Sequence, residues 1–202
     1  MNNSRAHSGR PLALFTLLLL TAPDLSLGAL APPPTVTSPR LYVFDCGTLI
    51  NNKPEDYNLT RSEVKDSNMG VTCYLVVHPK GMLIYDTGLN DRLVGRTLLL
   101  SGDHDVFGDG TVVVIATPGH TEGHCSLLVR LKNTGPVVLS GDLYHYAEER
   151  DLKRMPDEEK TTGTLASRQK VEELMQRTGA QLWIGHSMAF FRTVRKSPAW
   201  YE

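Results

Sequence analysis

Thr117-Pro118-Gly119-His120-Thr121-Glu122-Gly123-His124 follows directly on an apolar run, Thr111 to Ala116 (TVVVIA), and opens onto another, Cys125 to Leu131 (CSLLVRL). Pro and Gly make a stiff turn that holds His120 at the tip of one predicted strand, while His124 opens the next. Three further apolar runs end in the same way, with a polar side chain in a Gly-containing turn: Ile84-Tyr85-Asp86-Thr87-Gly88, Leu139-Ser140-Gly141-Asp142 and Trp183-Ile184-Gly185-His186. In layered α/β proteins such strand ends gather on one edge of the sheet, where sites are built. Two His and one or two carboxylates gathered there form the ligand set of a zinc or iron hydrolase.

Around that stretch the chain reads as short strands broken by Gly and Pro turns. Leu41 to Asp45 alternates; Thr72 to His78 turns through Pro79-Lys80-Gly81 into Met82 to Tyr85 as a hairpin; Pro136 to Ser140 and Leu182 to Ile184 are later strands. Leu165, Val171, Leu174 and Met175 share one face of a helix predicted over 165–177 and ended by Gly179. The polar stretch Asn51 to Asn68 reads as an exposed loop. Together these elements predict an α/β domain.

Composition agrees: 202 residues, 41% hydrophobic and 21% charged, suit one globular domain. Lys and Arg total 21 against 22 Asp and Glu, with no basic run, which argues against a nucleic-acid partner. Arg5 and Arg10 precede the apolar stretch Leu12 to Leu20, and small residues follow at Gly28, Ala29 and Ala31, the layout of a secretory signal peptide. Residues 1–31 are therefore read as a signal peptide and Pro-rich leader, 32–202 as the single domain, and the product as secreted or periplasmic. The apolar stretch is too short for a membrane span. In an oxidising compartment Cys46, Cys73 and Cys125 could form at most one pair; their placement on strands favours three small buried hydrophobes instead.

The set T-P-G-H-T-x-G-H at 117–124, S-G-D-L-Y-H at 140–145 and the strand-end His186 resembles the metallo-β-lactamase superfamily, and within it the quorum-quenching N-acyl homoserine lactonases. The resemblance runs from about Leu41 to Glu202 and includes Asp86-Thr87-Gly88 and Phe107-Gly108-Asp109-Gly110. It implies an αββα sandwich with a dinuclear metal site, of zinc or of iron, cobalt or manganese, at one edge of two sheets. By motif, His120 would bind one metal, Asp142 would bridge both and His186 would bind the other. Asp86 and His124 would stand behind these ligands and orient them. His145, three residues after Asp142, falls where related lactonases place an aromatic residue against the substrate carbonyl, with Tyr144 and Tyr146 as rival substrate contacts.

One motif of that family, H-x-H-x-D-H, has no counterpart here. It should lie between Asp86-Thr87-Gly88 and Phe107-Gly108-Asp109-Gly110, yet the chain runs almost directly from one to the other, as though cut near 95–98. Gly102-Asp103-His104-Asp105 puts a His between two carboxylates, but it lacks paired histidines and reads as a turn. The ligands left, His120, Asp142 and His186, suit one metal at most. The fold is thus expected to be truncated in its first half, with apolar faces of 41–85 uncovered at a cost of about 1.5–3 kcal/mol for each large side chain. The resemblance implies a metal-dependent hydrolase that opens a lactone, or another ester or thioester, with hydroxide made available at neutral pH. The missing motif implies an impaired or inactive relative.

Overall fold

The structure, a computed structural model, describes residues 35–86 and 100–202. The predicted leader, Thr87-Gly88 and the junction near 95–98 lie outside them. Strands β1 (Arg40–Leu49), β2 (Met69–His78) and β3 (Gly81–Tyr85) form an antiparallel sheet in that order. A second sheet holds β4 (His104–Asp105), β5 (Val112–Ala116), β6 (Cys125–Leu131), β7 (Gly135–Leu139) and β8 (Gln181–Trp183), also in chain order. Helices are α1 (Ala147–Asp151), α2 (Thr164–Thr178) and α3 (Met188–Thr193). β8 runs parallel to β7, a pairing that needs a crossover, and α2 lies within it.

Period-two alternation divides each strand between two environments. Leu41, Val43, Tyr74 and Val76 of the first sheet meet Val112, Leu127, Val129, Val137, Leu139 and Trp183 of the second in one buried layer. The opposite face of the second sheet turns Ile115, Leu128 and Val138 toward Val171 and Met175 of α2. Gly179, in the left-handed region at φ 69°, ends α2 by donating to the Met175 carbonyl. Leu165, read as part of the apolar face, is instead 64% exposed. The buried side of the first turns of α2 is polar, through Thr164, Ser167 and Arg168, because it packs on the site loops.

Among the described residues nothing forms a corresponding cover on the first sheet. Met82 and Ile84 alternate with the inward Leu83 and Tyr85 and stand 72% and 65% exposed. Among the described residues the layers are sheet, sheet and helix, an αββα sandwich short of one helical layer.

Two loops are firmer than their composition implies. Within Asn51 to Asn68, a 3-10 turn (Pro54–Tyr57) leads to Leu59 and Val64, which are buried with Met69 and Tyr146. In the Phe107-Gly108-Asp109-Gly110 stretch, Asp109 binds the Thr111 hydroxyl at 2.6 Å, Lys80 Nζ at 3.0 Å and His78 Nε2 at 3.1 Å, tying the β2–β3 hairpin to the second sheet. The 102–105 stretch is partly strand, and its carboxylates hold neighbouring chain: Asp103 accepts from Ala116 N–H and from Lys170 Nζ, Asp105 from Gly108 and Gly110 N–H. The cysteines are not three buried thiols. Cys46 and Cys73 form a disulfide between β1 and β2, and Cys125 alone is free. Spacing could not show this, because the bulge between Asp45 and Thr48 shifts the register that brings Cys46 back over Cys73.

Candidate active site

The turns that carry His120, Asp142 and His186 converge at the edge of the two sheets, and close backbone approaches explain the glycines at 119, 141 and 185. A Cβ on Gly119 would lie 2.4 Å from the Thr164 backbone nitrogen, so the Pro118–His120 loop sits directly on the start of α2, where Ser167 also donates to the Pro118 carbonyl at 2.6 Å. A Cβ on Gly141 would come within 2.8 Å of both His124 Nε2 and the Tyr85 hydroxyl. A Cβ on Gly185 would meet Thr72 Oγ1 at 2.4 Å, which lets His186 reach across to the first sheet.

His186 is held there from two sides. Its carbonyl accepts from Gly70 N–H at 3.1 Å, and its Nδ1 donates to the Gly70 carbonyl at 2.7 Å. A carbonyl can only accept, so Nδ1 carries a proton and Nε2 is directed at Asp142 Oδ1, 2.8 Å away. His120 repeats the pattern: Nδ1 donates to Glu159 Oε1 at 2.9 Å and Nε2 stands 3.7 Å from Asp142 Oδ2. His124 holds Asp142 by its backbone, donating from Nδ1 to the Thr117 carbonyl at 2.8 Å and accepting the Asp142 N–H at Nε2 at 2.9 Å.

Two more groups complete the cluster. His145 lies between the other rings, with centroids 5.2 Å from His120 and 5.5 Å from His186 and stacked on the latter. Glu149, fully buried, takes the N–H groups of His145 and Tyr146 on one oxygen and Arg168 on the other, which fixes the 144–146 turn. Tyr144 and Tyr146 are placed away from the histidines. Tyr144 is buried beneath α2 with Arg168 over its ring, and Tyr146 packs in the 51–68 loop with its hydroxyl on the Ser67 carbonyl. The aromatic ring against His145 belongs instead to a residue the sequence did not mark, Tyr57, whose centroid lies 4.7 Å away. Glu149, Glu159 and Tyr57 sit in stretches without a strand-end motif, so no local signal singled them out.

The electrostatics follow from these contacts. The His186 hydrogen bond holds the Asp142 carboxyl well below the usual carboxylate range, against the opposing effect of burial. Burial would lower His186, but Asp142 and the Gly70 carbonyl outweigh it and raise the ring. Glu159 raises His120. Burial, then the neighbouring His186, pushes His145 down to about 3. Asp86, although one side of the residue is open, has its carboxyl pushed up to about 6 by desolvation and by Asp142.

A metal can be tested against this arrangement. The anchored Nδ1 atoms leave Nε2 as the ligating nitrogen on both His120 and His186, as metal-binding histidines require. The donors, however, are not splayed about a common point: His186 is in direct contact with the carboxylate it would have to share with an ion. Among the described residues no three His, Cys, Asp or Glu side chains are arranged to hold a metal. The site in this form does not fit a resident metal.

The two layered sheets match solved structures of quorum-quenching lactonases. One, a quorum-quenching N-acyl homoserine lactone lactonase, superposes with a TM-score of 0.67 at 18% identity, covering 83% of this chain and 100% of that one. The chain has the metallo-β-lactamase fold. A second neighbour, an N-acyl homoserine lactone hydrolase with the product N-hexanoyl-L-homoserine at its catalytic metal centre, gives a TM-score of 0.66 at 17% identity, covering 82% of this chain and 100% of that one. In sequence, the chain is 36% identical over 100 residues to the N-acyl homoserine lactonase AttM of Azorhizobium caulinodans, a match covering 49% of this chain and 38% of the relative. It is 38% identical over 100 residues, with the same coverage, to AttM of Rhizobium johnstonii. The chain thus spans less than two fifths of the length of these curated relatives. No family model matches it.

Proposed function

We propose that this chain is a lactonase-like hydrolase of small lactones or esters, acting weakly through its own histidines and carboxylates. The observation that carries this reading is the convergence of His120, Asp142, His145 and His186 at the edge of the fold it has in common with lactonases. His145, neutral at pH 7, donates a hydrogen bond to the carbonyl oxygen as negative charge develops there. Water attacks the carbonyl carbon while His120 Nε2 takes its proton; the ring C–O bond then breaks and the leaving alkoxide takes that proton back. Asp142, paired with His186, stabilises the His120 imidazolium, and Tyr57 packs against His145 to bound the substrate. No step is assigned to the zinc, iron, cobalt or manganese ion of the resemblance, because the donors as placed do not accommodate it. Positioned acid–base groups alone supply about 10²–10⁴-fold over water, so turnover is expected to be slow.

Ring opening of N-acyl homoserine lactones by the purified chain, with chelator and with added zinc, tests this. Hydrolysis within that range, insensitive to chelator and lost in His120→Ala, supports the proposal. One bound zinc per chain with a zinc-dependent rate would overturn the metal-free site in favour of a mononuclear one. No hydrolysis under either condition would leave an inactive relative. The expected export of the chain belongs to the same proposal; the Cys46–Cys73 disulfide supports it, since such bonds persist in oxidising compartments. Fractionation of cells expressing the full chain would check it. No helix of the described residues is long and apolar enough to cross a membrane.

A further inference from the structure

We infer that Glu159 is the positioning residue for His120: it holds the ring with the proton on Nδ1 and so keeps Nε2 bare toward Asp142 and the cleft. The inference rests on the hydrolase reading for its catalytic consequence, but not for its geometry. Glu159 comes from the 3-10 turn Asp157–Thr161 and is 4% exposed, so its charge must be satisfied inside the protein. Both oxygens are engaged: Oε1 takes His120 Nδ1–H at 2.9 Å and Oε2 takes the Thr164 hydroxyl at 2.9 Å. The turn is itself tied down, because the Glu159 carbonyl accepts from Thr162 Oγ1 at 2.9 Å.

The opposite tautomer would set an imidazole lone pair against a buried carboxylate, a contact with no proton to bridge it. Among the described residues no backbone carbonyl plays for His120 the part that Gly70 plays for His186; Glu159 is the acceptor within hydrogen-bond distance of its ring, while Asp142 Oδ2 stands 3.7 Å from Nε2, beyond that distance. Glu159 lies 39 residues downstream of His120, and the two meet because α2 begins on the Pro118–His120 loop.

Nitrogen NMR of the folded chain, recorded above the pH at which His120 loses its charge, reads the tautomer directly. The wild type is expected to carry the proton on Nδ1. Glu159→Gln, whose amide can donate to Nδ1, is expected to move the tautomer ratio by about tenfold toward Nε2–H, the worth of one hydrogen bond to a charged group. Glu159→Asp should restore part of it, and Thr164→Val, which leaves the His120 contact intact, should not change it. Near-UV circular dichroism confirms that each variant is folded; should Glu159→Gln fail to fold, Glu159→Asp and the wild-type tautomer still decide the matter. A wild-type ring protonated on Nε2, or a ratio unmoved by Glu159→Gln, overturns the inference. Where lactone opening is measurable, Glu159→Gln should lower kcat with little change in KM. If no opening is found, the hydrolase reading fails while the NMR result still stands by itself.

Discussion

His186 Nε2 and Asp142 Oδ1 meet at 2.8 Å, and because the other nitrogen of His186 already donates to the Gly70 carbonyl, the bridge between ring and carboxylate is a proton. His186 also ties this turn to the first sheet, since it bonds with Gly70 of β2 while Asp142 follows β7 of the second. Asp142→Asn is therefore expected to lower stability by about 1.5–3 kcal/mol, the range for a hydrogen bond to a charged group. Denaturant unfolding at pH 6 measures it.

The same pairing sets a pH dependence. His120 and His186 are raised in the folded chain, so the stability they contribute is fully present below the unfolded histidine value of about 6.5 and is lost as pH rises through their folded values. His145 and His124 are lowered, so they cost stability as pH falls below that same value. The histidines together give a maximum near pH 6.5. Thermal unfolding from pH 5 to 9 should show it, and His186→Asn should flatten the alkaline side.

Gly119→Ala should be strongly destabilising, by about 2 kcal/mol or more. The added Cβ would lie within 2.5 Å of Thr164 backbone atoms, and φ at 119 is 152°, where side chains are strained. Thr164→Ala should not rescue it, because the clash is with main chain. Comparing unfolding of the single and double variants decides.

Reduction should weaken the fold. The Cys46–Cys73 bond closes a loop across a sequence separation of 27 residues, and removing such a cross-link costs about 2–4 kcal/mol. Cys46→Ser and reductant should shift the unfolding midpoint equally; a shift for neither would mean the bond does not form in solution.

The side of the first sheet that no described residue covers should make the chain self-associate, because exposed apolar sheet surface is a site of contact. Met82→Lys with Ile84→Lys should raise the fraction of monomer in light scattering while changing stability by little, both side chains being mostly in solvent. Unchanged association would place the contact elsewhere.

Strands, hairpin and helix were legible because their signals are local: alternation at 72–78 and 82–85, helical spacing at 171–175, Gly179 as a stop. The candidate site was legible where a residue followed a strand within a Gly turn, as Asp86, His120, Asp142 and His186 do, and at His124 and His145 through the family resemblance. Leu165 misled because apolar spacing says nothing about which neighbour packs on a helix. The 51–68 stretch is a loop, as its composition implies, but its buried Leu59 and Val64 leave no signal because they recur with no period.

By itself the sequence determined the α/β class, the resemblance to lactonases, and the absence of an H-x-H-x-D-H motif, all of which reside in residue types and short spacings. Tertiary structure alone decided that Glu159 holds His120, that Glu149 fixes the turn carrying His145, that Tyr57 rather than Tyr144 or Tyr146 lies against it, and that Cys46 pairs with Cys73. Each of these is a contact between distant segments, set by strand register and helix placement, and hydrogen bonds and ring contacts of that kind leave no periodic trace along the chain.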